Sequence, residues 1–312
     1  MKKILRNFSI VLILFNIMFL KNLNGQTVSD MNQIKINNDS GTDQYYCTQD
    51  ETEVIETVEH FLFAAGNYNI EAMAKMMTDH ANVGSVTLKN GERVINTMTI
   101  WDFFDGVKKR IPRPYYEPVK EYTIHLNDDH LAFVRADATL YTFGVPKSHN
   151  IDYFTLMKDS DVWKFLSLSY SATPIPEEEK IFDLNIFGKS YAQAWCSQKP
   201  EFVSLFFTED GSLTVNDGKP AVGRNEILKV AESFMTAFPD IIVTMDSLIT
   251  TSTGTEFHWT FTGTNTGPNG SGKKVKISGV EIWQFDNGLI KESKGSFNTE
   301  EYERQVKYGV EN

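Results

Sequence analysis

The order of predicted helices and strands repeats once along the chain, and this repeat constrains the fold more than any other feature. Each copy is predicted to contain three helices with a short strand among them, followed by four long strands. The copies start about 130 residues apart, and a segment rich in Pro and Glu separates them. The sequence therefore predicts two tandem α+β domains, domain 1 at residues 51–172 and domain 2 at 183–312, joined by a linker at 173–182. In each domain three helices would pack on a curved antiparallel sheet, which leaves an apolar cone between the layers.

The long strands are the most clearly bounded elements, because turns of Gly, Pro, Asn, Asp or Ser separate them. In domain 1 they are predicted at residues 121–126, 131–143, 150–158 and 163–170. In domain 2 they are predicted at residues 241–250, 256–264, 274–285 and 289–297.

The N-terminus has the features of a secretory signal peptide. Lys2, Lys3 and Arg6 precede an apolar run of about 14 residues, which is short for a membrane span. Cleavage is predicted after Gly25, with an uncleaved N-terminal anchor as the alternative. Residues 26–50 are polar and are predicted to form a flexible leader. The protein is therefore expected to be secreted or periplasmic.

Charge and cysteine content limit the possible partners. The formal net charge of −11 gives no basic surface for phosphates, so nucleic acid is not expected as a partner, nor is a membrane beyond the signal segment. Cys47 and Cys196 are the two cysteines. An oxidising compartment would allow them to form a disulfide, but two cysteines do not indicate whether they meet. They are too few for a metal site, and we expect neither a metal nor a cofactor.

Glu281 is the most informative residue for function. At period two it shares a strand face with Ile277, Trp283 and Phe285, so an acid is expected on the apolar face unless a bulge intervenes. Burial among apolar side chains would raise the pKa of this carboxyl group toward a range useful for a general base. The alternative is a structural Glu281 that is hydrogen-bonded to Tyr191, Trp195 or the backbone.

Further candidates surround the predicted cones. Tyr191, Trp195 and Phe206 lie at helical spacings and would line the cone of domain 2 or form its core. Trp259 and Trp283 lie on the apolar faces of their strands and are candidate ligand-binding residues. In domain 1, Asp152 shares its strand face with Phe154 and Leu156, which makes it a candidate pocket residue.

Several segments carry a resemblance to a known superfamily. WTFTGTNTG, GVEIWQFDNGLIKESKGSFN and EEYERQ in domain 2 resemble the SnoaL-like branch of the nuclear transport factor 2-like superfamily, which includes polyketide cyclase and ester cyclase-like proteins. HNIDYFTLMKDSDVWKFLSLSY and AGNYNIEAMAKMMTDHANVGSV in domain 1 are similar to lumazine-binding-like and general members of that superfamily. The resemblance implies two tandem cones of the cystatin-like type.

The chemistry implied by the resemblance is less certain than the fold, because the superfamily includes enzymes and binding modules. SnoaL-like cyclases commonly carry a His within GTHTG and an acid/base Asp at the end of the last strand. This sequence has Asn265 and Asn298 at those positions. An amide does not exchange protons near neutral pH, so acid/base catalysis by these two residues is not expected.

Three functions are consistent with these patterns. The favoured one is binding of a small, mostly apolar ligand in the cone of domain 2, without a cofactor. The second is a cofactor-independent isomerase, cyclase or hydrolase in which Glu281 is the general base and Tyr191 or Asn298 orients the substrate. The third is an interaction scaffold in which open sheet faces pack on each other, as an intramolecular pseudo-dimer or a homodimer.

Overall fold

The computed structural model describes residues 35–37, 48–89 and 91–311 of the chain. The predicted signal peptide, most of the predicted leader and Cys47 lie outside these residues.

Domain 1 consists of three helices and a seven-stranded sheet. The helices are α1 (Gln49–Gly66), α2 (Ile70–Lys75) and α3 (Ile100–Lys108). The strands are β1 (Lys35–Asn37), β2 (Met77–Lys89), β3 (Glu92–Thr99), β4 (Val119–Asn127), β5 (Leu131–Thr142), β6 (Val145–Asp159) and β7 (Val162–Pro174). Their order in the sheet is β1-β4-β5-β6-β7-β2-β3. β4 to β7 form an antiparallel meander, whereas β1 and β2 pair in parallel with β4 and β7.

Domain 2 repeats this architecture with a six-stranded sheet. The helices are α4 (Leu184–Trp195), α5 (Pro200–Ser204), α6 (Arg224–Ala237) and α7 (Thr299–Tyr308). The strands are β8 (Phe207–Val215), β9 (Ala221–Val222), β10 (Ile242–Thr251), β11 (Gly254–Thr264), β12 (Lys274–Asp286) and β13 (Leu289–Phe297). Their order is β10-β11-β12-β13-β8-β9, and β8 pairs in parallel with β13. The predicted fold class, two tandem α+β cones, is confirmed.

Local sequence signals explain where several helices begin. Thr48 and Glu51 form a capping box at the start of α1, in which each side chain binds the backbone N–H of the other residue. Pro200 occupies the first turn of α5, where its missing N–H costs no hydrogen bond. These signals fix helix positions along the chain, and the apolar faces then dock on the sheets.

Four elements differ from the sequence-based expectation, one of them the two-residue strand β9, which was not predicted. Residues 35–37, within the predicted leader, form β1 against β4. β3 was not predicted, because most of its side chains are exposed and it lacks the apolar alternation of a half-buried strand. The helix α7 was also not predicted. It is a polar helix that contributes the half-buried Tyr302 and Val306 to the core of domain 2.

Each cone contains its own hydrophobic core. The core of domain 1 includes Phe61, Phe154 and Phe165, and the core of domain 2 includes Tyr191, Phe257 and Trp283. The inner faces alternate as predicted. On β5, for example, Ala132, Val134, Ala136 and Ala138 are buried, whereas Phe133 is 49% exposed.

The described contacts between the domains run through helices and loops. Gln193 Nε2 donates a 2.8 Å hydrogen bond to the carbonyl oxygen of Tyr115, and Lys199 Nζ donates a 3.1 Å bond to that of Tyr68. The rings of Phe143 and Phe206 pack edge to face, with centroids 4.9 Å apart. This arrangement differs from the packing of open sheet faces that a scaffold would use.

Within the described part of the chain, no helix combines the length and apolar character needed to cross a lipid bilayer.

Candidate functional site

Glu281 lies on the inner face of the domain 2 sheet, near the middle of β12. Its register partners are Phe257 on β11 and Gly295 on β13. No register shift occurs between Lys274 and Gln284, so the period-two alternation is maintained through this part of the strand. Glu281 is only 7% exposed, which places an acid inside an apolar layer.

Three donors from different elements hold one oxygen of this carboxyl group. Glu281 Oε2 accepts hydrogen bonds from Ser293 Oγ at 2.7 Å, Trp283 Nε1 at 3.0 Å and Tyr191 Oη at 3.1 Å. Burial raises the pKa of Glu281 above its ordinary value, and the hydrogen bonds from Trp283, Ser293 and Tyr191 oppose that shift. The carboxyl group is therefore fixed in direction, and burial makes its proton harder to lose than that of an exposed acid.

The side chain of Glu281 lines a cavity of about 60 Å³ inside the cone. The walls are apolar and mostly aromatic. They include Trp195, Phe234, Trp259, Phe261, Phe297 and Tyr302. Because all three donors bind Oε2, the second oxygen, Oε1, is the candidate acceptor for a ligand in the cavity.

The indole ring of Trp259 also lines this cavity. Its Nε1 atom is buried and has no hydrogen-bond partner among the described residues. The indole ring lies over Gly279 on the neighbouring strand, where an added Cβ would be 2.4 Å from the ring. A glycine is therefore required at position 279 for this ring position. The buried N–H of Trp259 without a partner favours a ligand that can accept its hydrogen bond.

The cavity thus combines one acid with apolar walls, and one wall residue, Trp259, has an N–H without a hydrogen-bond partner among the described residues. Such a set can bind a mostly apolar molecule through one donor and one acceptor group. It can also remove a proton from a bound molecule, provided the reacting atom lies within hydrogen-bond reach of Oε1.

Part of domain 2 matches a known protein family. Residues 187–306 match the family model of the SnoaL-like polyketide cyclase. Domain 2 is therefore similar to the SnoaL-like family over most of its length, and it is called the SnoaL-like domain. No curated protein matches the chain significantly.

Solved structures similar to this chain each cover about one domain of it. A hypothetical protein with a ketosteroid isomerase-like fold from Catenulispora acidiphila, in complex with trimethylamine, is 14% identical and has a TM-score of 0.34, covering 37% of this chain and 88% of its own. A nuclear transport factor 2-like protein of unknown function from Shewanella baltica is 18% identical with a TM-score of 0.34, covering 42% and 100%. A phenazine biosynthesis-related protein from Pseudomonas aeruginosa is 17% identical with a TM-score of 0.33, covering 37% and 79%.

The structure brings four of the predicted residues of the SnoaL-like domain together with Glu281. Trp195 and Trp259 line the cavity, whereas Tyr191 and Trp283 are fully buried behind Glu281 and bind its Oε2. Phe206 is in the core, where its ring packs edge to face on Tyr191.

The two amides that replace the family's titrating residues stabilise local structure. The Oδ1 atom of Asn298 accepts a 3.0 Å hydrogen bond from Glu301 N and thereby caps α7. Asn265 accepts a 2.8 Å bond from Ser271 N and donates to the carbonyl oxygen of Ala237. Neither residue is among those that line the cavity.

Ser293, Phe234 and Tyr302 belong to this site but were not predicted. Ser293 shares a strand face with Gly295 and Phe297, so strand periodicity could have found it. Tyr302 requires α7, which the pattern Asn298-Thr-Glu-Glu301 could have indicated as an N-cap followed by acids in the first turn.

Domain 1 also has a buried acid on the third strand of its meander, Asp152 on β6. Asp152 is 7% exposed, and its Oδ2 atom has no hydrogen-bond partner among the described residues. Burial, together with the charge of Glu117, raises the pKa of Asp152 to about 8. Burial also raises the pKa of Glu117 to about 7, although a hydrogen bond from Asn150 opposes this shift. Glu117 was not predicted, because it lies in a Pro-rich segment without periodicity.

Residues 48–89 and 91–311 contain no group of three or more His, Cys, Asp or Glu placed to hold a metal ion. Cys196 is a free thiol that accepts a 3.2 Å hydrogen bond from Val243 N, and burial raises its pKa to about 11. Cys47, the other cysteine, lies outside the described residues, so a disulfide between the two remains untested.

Proposed function

We propose that the SnoaL-like domain binds a small, mostly apolar molecule that has a hydrogen-bond donor facing Glu281 and an acceptor facing Trp259. The observation that carries this proposal is the lining of the cavity, where Glu281 lies among apolar walls and Trp259 has a buried N–H without a partner among the described residues. An unliganded core would gain more stability from apolar residues at these two positions, since each buried polar group without a full set of partners costs ~1–3 kcal/mol.

The size of the cavity indicates how a ligand enters. A volume of about 60 Å³ accommodates a few non-hydrogen atoms, whereas an apolar cavity of ~150 Å³ is needed for a benzene-sized molecule. Phe234 on α6 and Tyr302 on α7 are only half-buried, and both helices lie over the sheet. A ring-sized ligand would therefore bind with rotation of these two side chains.

A second candidate function is proton transfer by Glu281. Its raised pKa and its fixed direction are the two properties that a general base requires. In this function Glu281 removes a proton next to a carbonyl group, and Trp259 Nε1 donates a hydrogen bond to the oxygen on which charge develops. The family match supports this chemistry as a possibility for the domain, with Glu281 in place of the usual acid/base residues.

We also propose that the protein acts outside the cytoplasm, because its first 25 residues resemble a signal peptide. N-terminal sequencing of the protein purified from its host should then begin at Gln26. A mature protein that begins at Met1 would contradict cleavage.

The binding proposal can be tested by native mass spectrometry of the protein purified from its host. We expect an additional mass of a small molecule, which Glu281→Gln weakens or removes, because the amide cannot accept a proton and keeps only part of the acceptor capacity. Glu303→Gln on the exposed face of α7 makes the same chemical change outside the cavity and serves as control. A mass that both variants retain equally would contradict binding at Glu281.

The proton-transfer proposal needs a separate readout. We expect the co-purified molecule to incorporate deuterium from D₂O in the presence of the native protein and not in the presence of Glu281→Gln. A ligand that binds both proteins and exchanges in neither identifies a binding domain without this catalysis.

A further inference from the structure

A cleft at the boundary between the two domains is separate from the cone of the SnoaL-like domain. It is a cleft of about 550 Å³ that residues of both domains line. The turn between β5 and β6 forms one wall and the turn between β12 and β13 forms the other. This volume falls within the range of small-molecule sites, ~300–1,000 Å³.

The charges in this cleft have one sign. Its lining contains Arg113 and Lys147 from domain 1 and Arg224 from domain 2, and none of the lining residues is acidic. The protein as a whole has a net charge of −11, so three cations at one cleft are a local reversal of its charge. Among the described residues none of the three is in an ion pair. The pKa of the nearby Glu177 is lowered by Lys180 and, to a smaller extent, by Lys147, but Glu177 pairs with Lys180.

Neighbouring groups restrict the positions of two of these cations, Arg224 and Arg113. Arg224 Nε donates a 2.9 Å hydrogen bond to the carbonyl oxygen of Phe207, which orients the guanidinium and leaves its other N–H groups available. Arg224 is also the first residue of α6, whose N-cap Gly223 provides no side-chain capping bond. The positive end of this 14-residue helix therefore adds to the charge of the side chains. Arg113 lies between Pro112 and Pro114, which restrict the backbone on both sides.

The rest of the lining is apolar. Phe143, Val145, Leu205 and Leu289 provide its hydrophobic surface. The walls are anchored to each other, because Phe143 packs on Phe206 and Asp183 N donates a 2.8 Å hydrogen bond to the carbonyl oxygen of Gly144. The cleft therefore exists without a ligand, and binding needs no large change of the domain arrangement.

We propose that this cleft binds an organic anion that carries a carboxylate or phosphate group on an apolar body. The head group is bound by Arg113, Lys147 and Arg224, and the apolar body packs on Phe143 and Leu289. Arginine suits this role, because its planar set of N–H donors matches the oxygens of carboxylate and phosphate. The site is distinct from the cone around Glu281, so either proposal can fail alone.

Isothermal titration calorimetry with octanoate and octyl phosphate tests this proposal. We expect binding of one or both, and weaker binding at high salt because the charges are partly exposed. Octanol has only the apolar body, and inorganic phosphate has only the anionic group. Each should bind at least tenfold more weakly than the anion that combines both parts. Equal binding of octanol and octanoate would overturn the proposal, as would no binding of either anion.

Variants locate the binding. Arg113→Gln combined with Lys147→Gln should weaken binding by about tenfold or more, since each lost charge-assisted hydrogen bond has a large effect. Both side chains are exposed, so folding should be preserved. Lys219→Gln combined with Lys274→Gln makes the same change of net charge at exposed sites away from the cleft and should bind as the native protein does. If Glu281→Gln weakens binding and the cleft variant does not, the anion binds in the cone and the proposal is wrong.

Discussion

Asp152 and Glu281 are buried acids on matching strands of the two domains, yet their surroundings are opposite. Each lies on the third strand of its meander, points into its cone and precedes a buried aromatic residue by two positions, Phe154 or Trp283. Glu281 is bound by three donors and lies against a cavity. Asp152 has an oxygen without a partner, and a second acid, Glu117, raises its pKa further.

The cross-strand neighbours explain this difference. Glu281 is flanked by Phe257 and by Gly295, whose missing side chain leaves room beside the carboxyl group. Asp152 is flanked by Ala136 and by Tyr170. A buried acid can therefore be accommodated either by donors that favour its charged form or by retention of its proton. Only the first arrangement gives a carboxylate ready to accept a ligand's hydrogen bond.

The largest expected effect concerns Asp152, through the pH dependence of stability. Its pKa is about 8 in the folded protein and 3.8 as the ordinary value, so the folded state binds more protons than the unfolded state between these values. Stability should therefore fall as pH rises through this range, and Asp152→Asn should remove most of the fall. We expect the variant to be more stable than the native protein by ~5 kcal/mol at pH 8 and similar to it near pH 4.

Urea unfolding at each pH, followed in domain 1 by pulse proteolysis, measures this effect. Asp161→Asn in the exposed turn after β6 is the matched control and should leave the pH dependence unchanged. A native protein whose domain 1 becomes more stable between pH 5 and pH 8 would contradict the protonated state of Asp152.

An intermediate effect is expected when a donor to Glu281 is removed. Ser293→Ala deletes the shortest of the three hydrogen bonds and should cost ~2 kcal/mol of unfolding free energy at pH 8, because the buried carboxylate loses a partner. The cost should decrease at low pH, where Glu281 is protonated in both proteins. Denaturant unfolding at two pH values measures both effects.

Ser296→Ala provides the control for that variant. Ser296 is exposed on the other face of the same strand, and its change should alter stability by less than ~0.5 kcal/mol. Equal losses in the two serine variants would mean that the hydrogen bond to Glu281 does not stabilise the domain.

The smallest effect concerns the space beside Glu281. An added Cβ at Gly295 would lie 3.3 Å from Glu281 Cγ and 3.4 Å from the carbonyl oxygen of Thr214. Gly295→Ala should therefore destabilise the domain by ~1 kcal/mol, because the contacts are tight and must relax. Gly106→Ala on α3 meets open space and should stabilise the protein by ~0.5–1 kcal/mol. Thermal unfolding compares the two, and a stabilising Gly295→Ala would show that the carboxyl group has room to move.

The buried face of each long strand and the repeat of the domain could be predicted from the sequence. Alternation of apolar and polar residues placed Glu281 and Asp152 inside their cones, because a strand without a bulge maintains a period of two. The same reasoning missed Glu117, since a Pro-rich connection has no period from which to read a face. It also left Asn298 as a possible ligand contact, whereas its side chain caps α7.

The sequence by itself determined the two tandem α+β domains and which side of each sheet is buried, because these depend on local propensity and on spacing along the chain. Only the tertiary structure decided what each buried acid contacts. Tyr191 lies 90 residues from Glu281 along the chain, and Arg113 and Arg224 meet only where the two domains pack. Such neighbours result from packing between distant elements, and local periodicity carries no information about them.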